Sequence, residues 1–311
     1  MGWFEERAGL EGTVAIVTGG AGGLGEAITH DLAANGVRVA VLDVDGTAVE
    51  ALRRSLGAGG AGGAGGEGGE GGEGGEGGVG GVGTDAIVRQ GDARDPDTLT
   101  ALFTAVDERW GRLDTLVNVV GGTFRAPFTE TTPKGWDALL RTNLLHVLHA
   151  CSLAAPRMRA GGSIINLTTI EAHRAAPGFA VYAAAKAAVE HFARTLAVEL
   201  APSGIRVNNI APDCTPTPNM HKFTTAPGTP DTPLSTPAAI RTAIPMARLG
   251  TVTDISNAAV FLASSLSSYI TGTTLHPDGG THASSGWFNW PGSGWANHVP
   301  GDLLKEYGSD D

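Results

Sequence analysis

The sequence predicts an α/β fold, a doubly wound sheet of seven parallel strands with helices on both faces. Three observations lead to it. Short apolar, β-branched runs alternate with helical stretches up to about residue 277. The connections between them are short, which calls for a parallel sheet covered on both sides. Glycine, Asp or Asn recurs just after the apolar runs, where open α/β sheets bind ligands.

The elements follow in order. Residues 13–18 are apolar and β-branched with glycine on either side, the pattern of a buried parallel strand. A glycine-rich turn leads into a helix over about 25–35, with Ala27, Ile28, Leu32 and Ala33 on one face, and Gly36 stands at its expected C-terminal end. Residues 37–42 form the second strand, ending at Asp43, and 47–56 a helix. Strand three is 86–90, followed by a helix at about 96–110 that either Asp95 or Asp97 would cap. Strand four is 113–119, followed by one long helix over 133–156. Strand five is 162–168, followed by a long helix over 180–200. Strand six is 205–210, a helix covers 254–264, and strand seven is 273–277.

Composition narrows the function classes. Of 311 residues, 41% are hydrophobic and 17% charged, which is globular rather than disordered. The formal net charge of −11 argues against a nucleic-acid surface and against an anionic membrane, because both need clustered Lys and Arg. Only Cys151 and Cys214 are present, and neither belongs to a Cys-x-x-Cys pair. That argues against zinc and disulfide frameworks and fits a reducing compartment. No metal site is predicted. No basic-then-apolar leader opens the chain, no apolar run reaches the ~20 residues of a membrane span, and a cytoplasmic address is expected.

Residues 1–280 read as a single domain with one interruption. Residues 57–83 contain 18 glycines and four tandem Glu-Gly-Gly units. Glycine loses the most backbone entropy on ordering, and this stretch has almost nothing to bury, so a disordered surface insertion is expected. Residues 214–245 are rich in Pro and Thr, which disfavours a long helix and suggests a mobile substrate lid. Residues 281–311 form an extension with Trp287, Phe288, Trp290 and Trp295. Such a cluster is expected to cover the pocket entrance or cross to a neighbouring subunit.

The chemistry-bearing residues begin with the turn from Thr18 to Gly25, with Gly19, Gly23, Leu24 and Gly25. Glycine permits a tight turn and close approach of a pyrophosphate, and the following helix N-terminus offers unpaired N–H groups. Alone such a turn can equally serve tight packing; here a strand precedes it and a helix follows. Asp43 ends the second strand, 18 residues beyond Gly25. A carboxylate there accepts hydrogen bonds from both ribose hydroxyls of NAD and repels the 2′-phosphate of NADP. No Arg or Lys in the glycine turn or directly after Asp43 offsets it, so NAD is favoured over NADP; the alternative is a carboxylate that merely caps the strand end. Gly91-Asp92-Ala93 and Asn118-Val119-Val120-Gly121 also follow strands, positions where an Asp or Asn can equally be a turn residue.

Tyr182 and Lys186 are four apart in a helical segment and share a face. An adjacent ammonium lowers a phenol's pKa toward the range useful for proton transfer. In isolation the pair would read as surface residues. Thr169 stands just past the fifth strand and Asn143 within the helix before it.

Taken together, these residues resemble the short-chain dehydrogenase/reductase family, in the branch with a Gly-x3-Gly-x-Gly turn (Gly19, Gly23, Gly25) and a Tyr-x3-Lys pair, matched in order from about residue 12 to 280. The resemblance implies a Rossmann-type fold and hydride transfer between NAD and a secondary alcohol or ketone, with a homotetramer or dimer as the family expectation. It implies roles residue by residue. Tyr182 would exchange a proton with the substrate oxygen. Lys186 would lower the tyrosine pKa and bind the nicotinamide ribose. Thr169 would replace the substrate-polarising serine, and Asn143 would hold a water that links Lys186 to solvent. Asp92, with Ala93 beside it, would contact the adenine, and Asn118 would stabilise the central strands, with Gly121 near the cofactor. Pro212 would lie beside the nicotinamide and Thr217 would contact its carboxamide. Three positions depart from the pattern: Thr169 for serine, Val120 for alanine, and Asp213 after Pro212 where the family has glycine. Glu171 and His173 are either contacts to a polar substrate or solvent-facing loop residues. Two other readings stay open, a cis-dihydrodiol dehydrogenase forming a catechol and an NAD-binding regulatory protein with little turnover.

Overall fold

The structure, a computed structural model, describes residues 2–57, 85–217 and 236–301. The glycine-run insertion from 58 on, the middle of the expected lid (218–235) and the end of the tail (302–311) lie outside the described residues. After a short helix α1 (Trp3–Ala8), which the sequence reading does not include, the chain alternates strands and helices. They run β1 (Val14–Thr18), α2 (Gly23–Ala34), β2 (Arg38–Asp43), α3 (Gly46–Ser55), β3 (Ile87–Gln90), α4 (Pro96–Trp110) and β4 (Leu113–Asn118). The second half holds α5 (Pro133–Leu140), α6 (His146–Ala154), β5 (Met158–Leu167), α7 (Ala180–Leu200), β6 (Arg206–Ile210), α8 (Pro237–Ala243), α9 (Val252–Ala263) and β7 (Thr274–Leu275). Last come α10 (Thr281–Ser284) and an antiparallel pair, β8 (Phe288–Trp290) and β9 (Gly294–Ala296).

The seven strands form one sheet in the order β3-β2-β1-β4-β5-β6-β7, and all pairings are parallel. Every residue of β1 is buried, as a strand covered on both faces requires. One apolar layer joins the sheet to Leu99, Leu102 and Phe103 of α4, Val147 and Ala150 of α6, and Val189 and Ala193 of α7. The other joins it to Ile28 and Leu32 of α2, Leu52 of α3, and Ile255, Ala259 and Leu262 of α9. Each fully buried Leu or Ile contributes about 1.5–3 kcal/mol. The doubly wound architecture expected from the sequence is the one observed. No helix among the described residues is long and apolar enough to cross a membrane.

Local signals explain most boundaries. The Asp95 carboxylate accepts from the backbone N–H of Thr98, so Asp95 rather than Asp97 caps α4. Gly36 closes α2 at φ +77°. Two elements differ from the sequence reading. The expected helix over 133–156 is not continuous: residues Arg141–Leu145 form a π-helical turn between α5 and α6. The β5 strand begins earlier than expected, at Met158, with a register shift against β4 between Leu113 and Thr115. Neither feature leaves a periodicity to read, since one extra residue in a turn hardly disturbs the apolar spacing.

Just past the π turn, His146 is buried at 2% exposure. Burial, reinforced by the charge of Lys186, pushes its pKa down to about 3. The folded state therefore leaves this ring neutral where the unfolded chain protonates it, below about pH 6.5. Stability is full above that pH and falls toward pH 3, by at most about 1.4 kcal/mol per pH unit. Replacing His146 with Phe should flatten that slope, measured as the urea midpoint at pH 5 against pH 7; an unchanged difference between the two would refute the assignment.

Candidate active site

Two cavities open along the carboxyl edge of the sheet and share a wall. One, of about 590 Å³, is lined by the glycine turn, Asp43, Asp92, Val120, Gly121 and Lys186. The other, of about 960 Å³, is lined by Glu171, His173, Cys214, Ile244, His282 and Phe288. Thr123, Thr169, Tyr182, Pro212 and Asp213 line both.

The first cavity is built from backbone. Gly19 (φ +69°) turns the chain out of β1, and its N–H donates to the Leu42 carbonyl at 2.7 Å. Gly25 lies so close to that turn that a Cβ there would stand 1.9 Å from the Gly19 carbonyl oxygen. Gly22 caps α2 without a side chain, so no side chain occupies the N–H groups of the first helical turn. The space is a cradle for an anionic group. Gly23 (φ +54°) faces Thr217, whose Cβ lies 3.4 Å from where a Gly23 side chain would begin. Leu24 completes the wall of the cavity.

Asp43 sits at the end of β2, as expected. Its Oδ2 accepts from the Ala21 N–H at 3.0 Å and its Oδ1 from the Asp45 N–H at 3.1 Å, so the carboxylate is held in the rim. Asp92 is less free than the sequence suggests. Arg94 pairs with it, Nη2 to Oδ2 at 2.7 Å, and holds the carboxyl below the usual carboxylate range. Arg94 itself lines the cavity. The sequence reading missed this cation because it looked for one after Asp43, and Arg94 arrives from the loop after the neighbouring strand, two residues past Asp92.

Asn118 ends β4 and lies inside the sheet. Its Nδ2 donates to Asn166 Oδ1 at 2.9 Å, Asn166 Nδ2 donates to Asn209 Oδ1 at 3.2 Å, and Asn209 Nδ2 to Thr274 Oγ1 at 3.2 Å. One row of side-chain amides thus ties β4, β5, β6 and β7 together near their carboxyl ends. Asn143 occupies the π turn, fully buried. Its Nδ2 donates to the carbonyls of Gly122 (2.7 Å) and Leu139 (2.9 Å), and its Oδ1 accepts from the Gly122 N–H at 3.2 Å. Gly121 separates Asn143 from Lys186: a Cβ on it would meet Lys186 Nζ at 3.2 Å and Asn143 Oδ1 at 3.3 Å. A π turn is a common device for aiming a side chain at a site.

Tyr182 and Lys186 lie on α7, and Tyr182 shares the wall between the two cavities with Thr169. The direction of the tyrosine shift differs from the expectation. Burial pushes the phenol above its ordinary value, and the neighbouring Thr169 hydroxyl only partly opposes it. Lys186 is buried, donates to the Leu167 carbonyl at 2.8 Å, and is pushed down to about 8 by that burial. The spacing of four brings both residues to one face, but Lys186 is not among the causes of the tyrosine shift and burial dominates both groups.

The departures at Thr169 and Asp213 have local explanations. Thr169 accepts from the Glu171 N–H at 3.3 Å, which starts the short helical turn Ile170–Ala172. Asp213 stands 3.3 Å from Arg174, whose guanidinium also pairs with Glu171 at 2.9 Å. Burial raises the Asp213 pKa against the pull of Arg174. Glu171 and His173 both line the larger cavity, as does Arg174, a second cation that sequence reading overlooked.

A family model described as enoyl-(acyl carrier protein) reductase matches residues 79–282. D-threitol dehydrogenase of Mycolicibacterium smegmatis is 33% identical over 276 residues, covering 87% of this chain and 93% of its own. The 3beta-hydroxysteroid dehydrogenase 1 of Eggerthella lenta is 34% identical, covering 87% and 94%. The 3-oxoacyl-[acyl-carrier-protein] reductase FabG of Thermotoga maritima is 30% identical, covering 87% and 98%. Among solved structures, a short-chain type dehydrogenase/reductase from Mycobacterium ulcerans superposes with a TM-score of 0.74 at 26% identity, covering 88% of this chain and 90% of that one.

The glycine cradle generates a direct test. Gly25→Ala should lower the melting temperature and weaken binding of a dinucleotide by at least about tenfold, because the methyl group must displace backbone rather than side chain. Calorimetry and fluorescence titration would read both, and a variant with unaltered melting and affinity would show that the turn is not this tight.

Proposed function

The chain belongs to the short-chain dehydrogenase/reductase family, and on that premise we propose that it is an NAD-dependent oxidoreductase acting on a secondary alcohol or its ketone. One observation carries the reading: Thr169 and Tyr182 both sit on the wall shared by the two cavities. A group at that wall touches whatever occupies either space.

The residues of the smaller cavity fit a dinucleotide. The side-chain-free turn at Gly19, Gly23 and Gly25 would receive the pyrophosphate, and the Asp43 carboxylate the ribose hydroxyls. Asp92 and Ala93 would flank the adenine, Lys186 the second ribose, and Pro212 and Thr217 the nicotinamide end. Bound there, the nicotinamide accepts or supplies a hydride. The chain's own residues do the rest. Tyr182 gives or takes the proton at the substrate oxygen. The Thr169 hydroxyl donates to that same oxygen and orients it. Lys186 adds positive charge behind the tyrosine when protonated, which opposes the burial that raises the phenol. Asn143 anchors the Gly121–Gly122 backbone against α5 and so shapes the floor beside Lys186.

Asp43 favours NAD, since it would repel a 2′-phosphate, and Arg94, the nearby cation, is already paired with Asp92. The relatives named for D-threitol and 3beta-hydroxysteroids support an alcohol or ketone substrate. The expected homotetramer or dimer is supported by an apolar groove along α5 and α7, lined by Phe128, Leu140, Leu144 and Val181. The cytoplasmic address is supported by two unpaired cysteines.

The test is a panel of alcohols, polyols, dihydrodiols and ketones followed by NADH absorbance, with NADP(H) in parallel. Turnover should favour NAD(H), and Asp43→Ser should shift the preference toward NADP(H). Tyr182→Phe should reduce kcat/KM by about 10²–10⁴ while NADH binding persists. NADH binding without turnover by the native enzyme would favour the regulatory role instead.

A further inference from the structure

Three histidines from separate segments meet beside the substrate cavity. His173 follows the short turn after Thr169, His276 follows β7, and His282 lies in α10. One ring nitrogen from each lies within 4.8 Å of the others. The ring centroids of His276 and His282 are 4.2 Å apart, and His173 is 4.5 Å from His276 and 5.0 Å from His282.

We propose that His173, His276 and His282 bind one divalent transition-metal ion of the zinc class at the wall of the substrate cavity. The donor set fits that class: three imidazoles and no thiolate suit Zn²⁺, Co²⁺, Ni²⁺ or Cu²⁺ and not Mg²⁺ or Ca²⁺. Three protein ligands leave a coordination position open. His173 and His282 line the cavity, so that position faces the space where Tyr182 and Thr169 also lie. It would take a water or an oxygen of a bound molecule. Nitrogens around a tetrahedral zinc stand about 3.3–3.4 Å apart, from metal–nitrogen distances of about 2.0–2.1 Å. The His276 and His282 rings are stacked with their planes 8° apart, so binding one ion requires them to tilt until their in-plane lone pairs converge, and the nitrogens to close from within 4.8 Å.

Two further features point to a ligand rather than to chance crowding. The Nε2 atom of His276 is buried and has no hydrogen-bond partner among the described residues. A buried ring nitrogen is ordinarily satisfied, and a metal ion would satisfy it. The second feature is Glu190 of α7, buried at 3% exposure. Its carboxylate accepts from His173 Nε2 at 3.0 Å and from the Thr168 hydroxyl at 2.8 Å. With that nitrogen engaged as a donor, the His173 lone pair falls on Nδ1. Carboxylate–histidine–metal relays use this arrangement to fix the ligating tautomer and ring orientation. Glu190 is therefore a positioning residue for the site. The loop that carries His282 is also held: Asp278 accepts from the backbone N–H groups of Gly280 (2.8 Å) and His282 (2.7 Å).

The site does not depend on the dehydrogenase reading, and its test needs no substrate. The full-length protein, stripped with a chelator, would be titrated with Zn²⁺ by competition against a chromophoric chelator, and with Co²⁺ by visible absorption. One ion per chain is expected, with a zinc-dependent rise in melting temperature. His276→Ala and His282→Ala should each weaken zinc by at least about 100-fold, and Glu190→Gln by about 10- to 100-fold, the usual range for a residue that orients a ligand. Circular dichroism of the stripped variants shows whether each is folded. Because His282 is exposed, its variant keeps the test decisive if His276→Ala fails to fold. No saturable one-to-one binding, or native affinity in a folded His282→Ala variant, would overturn the proposal.

Discussion

The approach of α2 to the end of β1 is closer than any side chain allows, with the Gly25 position 1.9 Å from the Gly19 carbonyl when a Cβ is placed on it. Much of the carboxyl edge follows from that contact. It sets the start of α2 over the crevice between β1 and β4, where the strand order reverses. It leaves the turn open enough for the Ala21 N–H to reach Asp43 across the end of β2. It also brings Val120 against Gly19 and Thr217 against Gly23, so three separate loops close around one space. A fold that packed this turn with side chains would have no cavity here.

The second half of the site rests on polar groups inside the sheet. The amide row from Asn118 through Asn166 and Asn209 to Thr274 crosses four strands. Buried amides without partners are costly, so each member holds its neighbour in place. Behind them, Lys186 is buried against the Leu167 carbonyl, and Asn143 holds the Gly122 backbone. Burial moves Tyr182 up and Lys186 down from their ordinary values. Charges that enter this space are therefore poorly screened, which makes proton affinity at Tyr182 sensitive to what binds beside it.

Much of the fold was legible in the sequence because burial on both faces writes itself as continuous apolar runs. Val14–Thr18 and Arg38–Asp43 are of that kind. Helix ends marked by Asp95 and Gly36 were legible for a similar reason, since their chemistry is local. The π turn at Asn143 and the early start of β5 at Met158 were not, because each changes the backbone without changing the apolar spacing. Of the site, the glycine turn, Asp43, Thr169, Tyr182 and Lys186 line the cavities, while Asn118 lies inside the sheet behind them.

By itself the sequence determined which residues are apolar, where the turns need glycine, and that Tyr182 and Lys186 share a helix face, all consequences of spacing along a few turns. The tertiary structure decided what distant segments do to each other. Arg94 beside Asp92 at the smaller cavity, Arg174 bridging Glu171 and Asp213, and the meeting of His173, His276 and His282 all depend on loops brought together at one sheet edge. So do the pKa directions of Tyr182 and Lys186, since burial is a property of everything packed around a group and not of its neighbours in the chain.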